Sequence, residues 1–281
     1  MKKLALLLLV VGVSASLAAT ADVAPGAGCD APYVPSDAWG QLVRSWSITQ
    51  PSSGVKTGSA CTNDDYWMTG AWSGFNAFGV YDTTGSLVRT VTASGISGFR
   101  DGTGANHLGT GYFVAATGGP GAAVYFTYGA GGNPGSTVAG NLGFSCGRGI
   151  GWNGTYYYAT TGSWSSAIGY YSTTGALVGT LTAGVGIPVY GVAATTEPTK
   201  TGYFWTWDQR TGEIMTEWTT AGSQVRSFTT ASSSAGGIDV GWNDGYMYCC
   251  SQTPNSCMVY DCEIRIGVAP KSIGTIKAVY R

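Results

Sequence analysis

Few of the groups in this 281-residue chain that could do chemistry are spaced to work together. Glycoside cleavage needs two carboxylates facing each other across a bond. Asp101, at the end of Phe99-Arg100-Asp101, and Asp239, inside Gly237-Ile-Asp-Val-Gly241, are the acids whose contexts could turn them toward a shared interior. The other acids read as peripheral: Asp64 and Asp65 in a turn, Asp82 and Asp261 after strands, Glu213 and Glu217 along a strand. His107 is the only histidine and reads as a loop residue. With no Gly-x-Ser-x-Gly elbow beside it, nucleophilic hydrolysis lacks its base and nucleophile, and no glycine-rich phosphate loop opens a helix. The expectation is a protein without catalytic residues or cofactors.

A second group of residues suits binding. Trp152-Asn153 and Trp242-Asn243 recur in matching contexts, and an indole face can stack on a sugar ring while an amide bonds its hydroxyls. Trp152, Asn153, Trp242 and Asn243 are therefore the candidate ligand-binding set. The simpler role for the indoles is packing between sheets, where burying a large side chain contributes about 1.5–3 kcal/mol.

The seven cysteines are 29, 61, 146, 249, 250, 257 and 262. Cys249, Cys250, Cys257 and Cys262 cluster in sequence, but they lack zinc-knuckle spacing and a nearby histidine, so no metal site is expected. A disulfide is expected between Cys250 and Cys257, because Ser251 to Ser256 make a hairpin loop that sets the two opposite each other.

Composition narrows the partners. Charged residues are 10% of the chain against about 25% in an average soluble domain. The net charge is −1 without a block of Lys or Arg, so nucleic acid is excluded as an expected partner. Met1 to Ala21 reads as a secretory signal: Lys2 and Lys3, an apolar run from Leu4 to Val13, then the exit Ala19-Thr20-Ala21. The run is too short to span a bilayer, so the expected destination is outside the cell, at its surface or in a periplasm.

The elements that must position these residues are announced by a repeat. Tyr81-Asp-Thr-Thr-Gly85-Ser-Leu-Val88 returns as Tyr171-Ser-Thr-Thr-Gly175-Ala-Leu-Val178, and more loosely as Trp218-Thr-Thr-Ala-Gly222-Ser-Gln-Val225. With Gly40, the turn glycines are separated by 45, 90 and 47 positions, a period that signals an array of small sheets. The clearest unit reads as four strands: Arg148–Trp152, Thr155–Thr160, Ala167–Tyr171 and Ala176–Thr182, with Asn153-Gly154 as the first hairpin turn. Four strands in about 45 residues make a propeller blade.

The expected fold is thus an all-β, five-bladed β-propeller with units near 49–93, 94–140, 141–184, 185–231 and 232–262. The last unit lacks its fourth-strand phrase, whereas an orphan copy, Gln41-Leu-Val-Arg-Ser-Trp-Ser-Ile48, stands at the other end. Strand 41–48 is expected to close the ring as the outer strand of the fifth blade, removing two open edges. Residues 263–281 are left as a tail.

The Gly-Trp-Asn-x-x-Tyr-x-Tyr pair at 151–158, its near copy from 241 to 248, and the Tyr-x-Thr-Thr-Gly-x-Leu-Val phrase resemble the secreted bacterial β-propeller repeat proteins, distant relatives of NHL, YVTN and WD-repeat propellers. The resemblance covers most of residues 36 to 262 and implies a platform for protein or glycan ligands, with no catalytic residue carried over. The expected function is a non-catalytic extracellular binding or structural module. The alternatives are a lectin with Trp/Asn pockets and a propeller glycosidase, since a fold does not name a function.

Overall fold

The structure is a computed structural model that describes residues 39–264, except 53, 63–65, 73, 75, 93–95, 97, 109–111, 117–120, 128–137, 163–164, 184–187 and 210–211. Met1 to Ala21, expected to be a secretory signal, Cys29, Asp64, Asp65 and the tail beyond 264 lie outside the described residues.

The first described strand is β1 (Gln41–Ser47), and four sheets follow it in order. The first holds β2 (Ala60–Cys61), β3 (Tyr66–Gly70), β4 (Ala77–Asp82) and β5 (Leu87–Thr92). The second holds β6 (Asp101–Gly104), β7 (Tyr112–Ala116), β8 (Gly121–Thr127) and β9 (Val138–Cys146). The third holds β10 (Ile150–Trp152), β11 (Tyr157–Thr160), β12 (Ala167–Tyr171) and β13 (Leu177–Thr182). The fourth holds β14 (Val189–Ala194), β15 (Tyr203–Asp208), β16 (Ile214–Thr219) and β17 (Gln224–Thr229). The fifth sheet takes β18 (Ile238–Val240), β19 (Met247–Gln252) and β20 (Asn255–Asp261), and β1 completes it. All five sheets are antiparallel meanders of four strands, and among the described residues the only helix is a 3₁₀ turn, Asn106–Leu108.

Burial explains the strand order. The first strand of each sheet is enclosed on both faces, as in β14, where every residue from Val189 to Ala194 is buried. The fourth strands alternate or lie exposed: Leu177 and Val178 are open and Gly179 half-buried. The phrase at each third turn has a physical cause. Gly85, Gly175 and Gly222 have φ of 89°, 82° and 86°, a left-handed conformation that costs glycine nothing. The pairing register shifts beside each turn, the signature of a bulge that tightens the hairpin.

The inner strands β2, β6, β10, β14 and β18 touch their neighbours in succession, and β18 returns to β2, so the sheets form a ring. Closure is made by β1, antiparallel to β20 in a register from Gln41 opposite Asp261 to Ser47 opposite Ser256. Trp46 lies edge-on to Trp67 at 5.8 Å and to Tyr248 at 6.3 Å, joining the first and fifth sheets. Arg44 donates to Asp244 Oδ2 at 2.9 Å and to the Tyr248 hydroxyl at 2.6 Å. Elsewhere the core lies between sheets, as where Tyr158 stacks on Phe204 at 5.2 Å.

Cys250 and Cys257 are direct cross-strand partners on β19 and β20, as their hairpin implies. The disulfide expected between them is not formed, and both thiols are free. The Cys250 sulfur is instead turned across the sheet interface, 3.4 Å from Thr69 Oγ1 of β3, and a disulfide needs both Cβ–S bonds to converge. Cys146, Cys249 and Cys262 are likewise free and buried, and Cys61 is buried.

Candidate functional site

The inner strands run in one direction around the ring, so residues at equivalent positions meet at the same level. Asp101 opens β6 rather than following a first strand, and its side chain is fully buried. Its Oδ2 accepts the backbone amides of Ile150 at 3.2 Å and Val192 at 3.1 Å, tying the second sheet to the third and fourth. Asp239 on β18 is 1% exposed, and its Oδ2 accepts the Cys61 amide at 2.7 Å. The Asp239 carboxylate also takes the amides of Val240 and Gly104 and the Thr103 side chain, tying the fifth sheet to the first and second. Two carboxylates therefore link all five sheets. Burial pushes both well above the usual carboxylate range, against the pull of these donors, and the Asp239 charge raises Asp101 further.

At the C-terminal ends of the inner strands the channel opens into a depression of about 70 Å³. Its lining includes Thr103, Trp152, Thr195, Glu197, Asp239 and Trp242. That volume is far below the roughly 300–1,000 Å³ of an enclosing small-molecule pocket. It has room for no more than one small group.

The sequence-derived candidates divide here. Trp152 and Trp242, equivalent positions of the third and fifth sheets, line the same depression rather than two separate pockets. Trp152 is 2% exposed, donates from Nε1 to Asn106 Oδ1 at 3.0 Å, and packs against His107 and Tyr157, each at 4.6 Å between ring centres. Trp242 is half-buried over β6, where a Cβ at Gly104 would come within 2.5 Å of its indole nitrogen. Asn153 lies outside the lining and holds a turn: its Oδ1 accepts the amides of Thr155 and Tyr156, and its Nδ2 donates to the Thr201 carbonyl. Asn243 is exposed and also outside the lining. His107 belongs to the 3₁₀ turn, and burial lowers its pKa from the ordinary value.

Asp101 and Asp239 both reach the channel, yet only Asp239 borders the depression. Thr103, Thr195 and Glu197 carried no sequence signal of their own. Thr103 follows once Asp101 is placed at the start of the inner strand, because alternation then turns residues 101 and 103 the same way. Among the described residues no cluster of His, Cys, Asp or Glu could hold a metal ion.

Neither a protein-family model nor a curated protein matches the chain. Among solved structures it is similar to the Myxococcus xanthus glutaminyl cyclase, with 13% identity and a TM-score of 0.54 over 79% of this chain and 95% of that one. It is also similar to the WD40 β-propeller domain of Doa1, with 16% identity and a TM-score of 0.43 over 71% of this chain and 62% of that one. A third similarity, to Chaetomium thermophilum Raptor, has 10% identity and a TM-score of 0.41 over 74% of this chain and 20% of that one. The chain thus spans less than two thirds of the length of the Doa1 chain. At these identities the likeness concerns the fold alone, and with the ring of four-stranded sheets it makes the chain a β-propeller repeat protein.

Proposed function

We propose that this propeller is a non-catalytic binding module that works outside the cytoplasm and meets its protein or glycan ligand at the depression bordered by Trp152 and Trp242. The observation that carries the reading is the convergence of these two repeat-equivalent indoles on one mouth whose floor is polar, with Thr103 and Asp239.

The carboxylate at that floor supports binding over catalysis. A general acid or nucleophile needs a free lone pair or proton within reach of the substrate. Asp239 is buried and its oxygens are engaged by backbone amides and a threonine hydroxyl. The glutaminyl cyclase shows that propellers also host enzymes, so the test includes turnover. Export rests on the N-terminal segment, Lys2 and Lys3 followed by Leu4 to Val13.

A glycan end group is the specific ligand favoured by the half-buried Trp242 indole beside the Thr103 and Thr195 hydroxyls, the Trp152 indole being packed behind the mouth. The test is a glycan array and a peptide array probed with the wild type, Trp242→Ala and Asn243→Ala, alongside a glycoside hydrolysis panel. The expected result is binding without turnover, lost in Trp242→Ala and kept in Asn243→Ala. Turnover abolished by Asp239→Asn would make the protein a glycosidase, and binding indifferent to Trp242→Ala would move the site elsewhere.

A further inference from the structure

The outer rim of the third sheet departs from that of its neighbours. No Lys, Arg, Asp, Glu or His stands between Arg148 and Glu197, a stretch that contains all the strands of that sheet, β10 to β13. Leu177 and Val178, which open its outer strand β13, are 58% and 49% exposed, the most exposed large apolar side chains among the described residues. Thr180 and Thr182 are exposed beyond them, and on the side away from β12 no strand pairs with β13 among the described residues.

Bare edges are ordinarily guarded. An edge strand presents N–H and C=O groups that another chain can bond, and charges or bulges keep such partners off. The repeat supplies a charge elsewhere: Arg44 on β1, Arg89 on β5 and Arg226 on β17 each follow the valine of their phrase, Val43, Val88 or Val225. In β13 the residue after Val178 is Gly179, where a Cβ would collide with the Tyr170 hydroxyl, so the charged side chain has no room. The outer strand of the second sheet, β9, is also uncharged, but its register shifts twice and Gly143 has a φ of 83°, which bends that edge. The single register shift of β13 lies beside its turn and leaves the rest of the edge regular.

We propose that β13 pairs with β13 of a second copy of this chain, antiparallel about a two-fold axis normal to the sheet, so that two third sheets become one. The choice of partner follows from charge. The segment from Ser172 to Ala183 offers nothing to a charged partner, whereas the same edge meets itself without repulsion or stranded ions. Homodimer interfaces are the ones most depleted in charge and richest in apolar area, and an isologous contact needs only a self-complementary patch. The two-fold turns Leu177 and Val178 of each copy toward the Leu181 and Thr182 end of the other, and the outward N–H and C=O groups of both strands gain partners. A strand of 6 residues is small beside the roughly 20–30 residues a side of a stable interface, so the pairing is reversible and dilution returns the monomer. The edge shares no residue with the indole-lined depression and does not depend on it.

Sedimentation velocity of the full chain over a dilution series, with hydrogen exchange on the same samples, tests this. The expected result is a monomer–dimer equilibrium in which the amides of Leu177–Thr182 exchange more slowly in the dimer while those of Leu87–Thr92 on β5 do not change. Leu177→Lys places an unpaired charge in the contact and should weaken dimerisation by about tenfold or more, whereas Leu87→Lys, at the equivalent position of β5, leaves it as it is. Both leucines are exposed in the monomer, so neither substitution disturbs the core. Val178→Lys is the second variant, melting temperatures show that each variant folds, and the wild-type exchange pattern decides the matter if the lysine variants do not. A dimer that Leu177→Lys and Val178→Lys leave intact, or that Leu87→Lys weakens equally, overturns the proposal. So does a monomer at every concentration: slow exchange at Leu177–Thr182 would then mean that another segment of the same chain covers the edge, and fast exchange that the edge is left to a different protein.

Discussion

The Oδ2 atom of Asp239 accepts the backbone amide of Cys61 at 2.7 Å, and so joins the last sheet of the ring to the first. Together with the bonds from Ile150 and Val192 to Asp101, it makes the channel a set of carboxylate-to-amide staples between sheets that share no strand. Glycines permit the close approach: a Cβ at Gly237 would collide with Asp101 Oδ1, and one at Gly151 would lie 2.5 Å from the Ala194 amide nitrogen.

These staples predict a pH dependence. Burial raises Asp101 and Asp239 in the folded state, so the folded protein keeps these protons to higher pH than the unfolded chain does. Their contribution to stability is complete below the ordinary aspartate pKa of about 3.9 and is lost as pH climbs from there through the raised folded values. Asp101→Asn cannot ionise, and its melting temperature should fall less steeply than the wild type's between about pH 4 and neutrality. Calorimetry on both proteins checks this, and parallel curves would contradict it.

The N-terminal strand should be indispensable. Ile48 is 7% exposed, Trp46 packs on Trp67, and removal of β1 would open the edge of β20. Each such apolar side chain contributes about 1.5–3 kcal/mol when buried, against a net stability of about 5–15 kcal/mol for a typical domain. A protein starting at Gln50 should unfold or aggregate under conditions where one starting at Asp22 is a folded monomer. Thermal unfolding and size-exclusion chromatography compare the two; an unchanged melting temperature would remove β1 from its closing role.

Glu217 should be sensitive out of proportion to its size. It is 1% exposed and accepts Lys200 at 2.9 Å and Arg226 at 2.6 Å, while Arg226 also pairs with Glu263 and lies 3.7 Å from the ring centre of Trp39. Glu217→Ala leaves two cations facing each other and should cost about 3 kcal/mol, the low end for a broken buried pair because Arg226 is partly in water. Urea unfolding measures it, and a loss within the scatter of surface substitutions would show that solvent replaces the carboxylate.

Buried thiols should be inert. Burial pushes Cys250 up to about 12 and raises Cys146, Cys249, Cys257 and Cys262 as well. Because the thiolate is the reactive form, iodoacetamide near pH 8 should leave these five unmodified in native protein and label them after denaturation. Mass spectrometry of tryptic peptides reads the outcome; rapid native labelling of Cys250 or Cys257 would mean that the fifth sheet opens.

Much of this architecture was legible in the chain because propeller blades are local: a hairpin turn with its glycine, such as Thr173-Thr-Gly175, and the strands on either side lie within about 45 residues. The third strand Ala167–Tyr171 is read from sequence to the residue, and the orphan phrase at 41–48 finds its place in β1 because the fifth unit lacks a fourth strand. What sequence could not settle is how five inner strands meet around one channel. Whether Trp152 and Trp242 form two pockets or one depends on contacts between residues about 90 positions apart, which no local pattern encodes. The same holds for Asp101: its sequence context left it at the end of a strand, and only the amides of Ile150 and Val192, brought from two other sheets, place it at the start of one. The Cys250 hairpin is local and was legible in its register, but the direction of its sulfur was set by Thr69 of a different sheet. Hydrogen bonding along one chain segment determines the blades, and packing between distant segments determines the site.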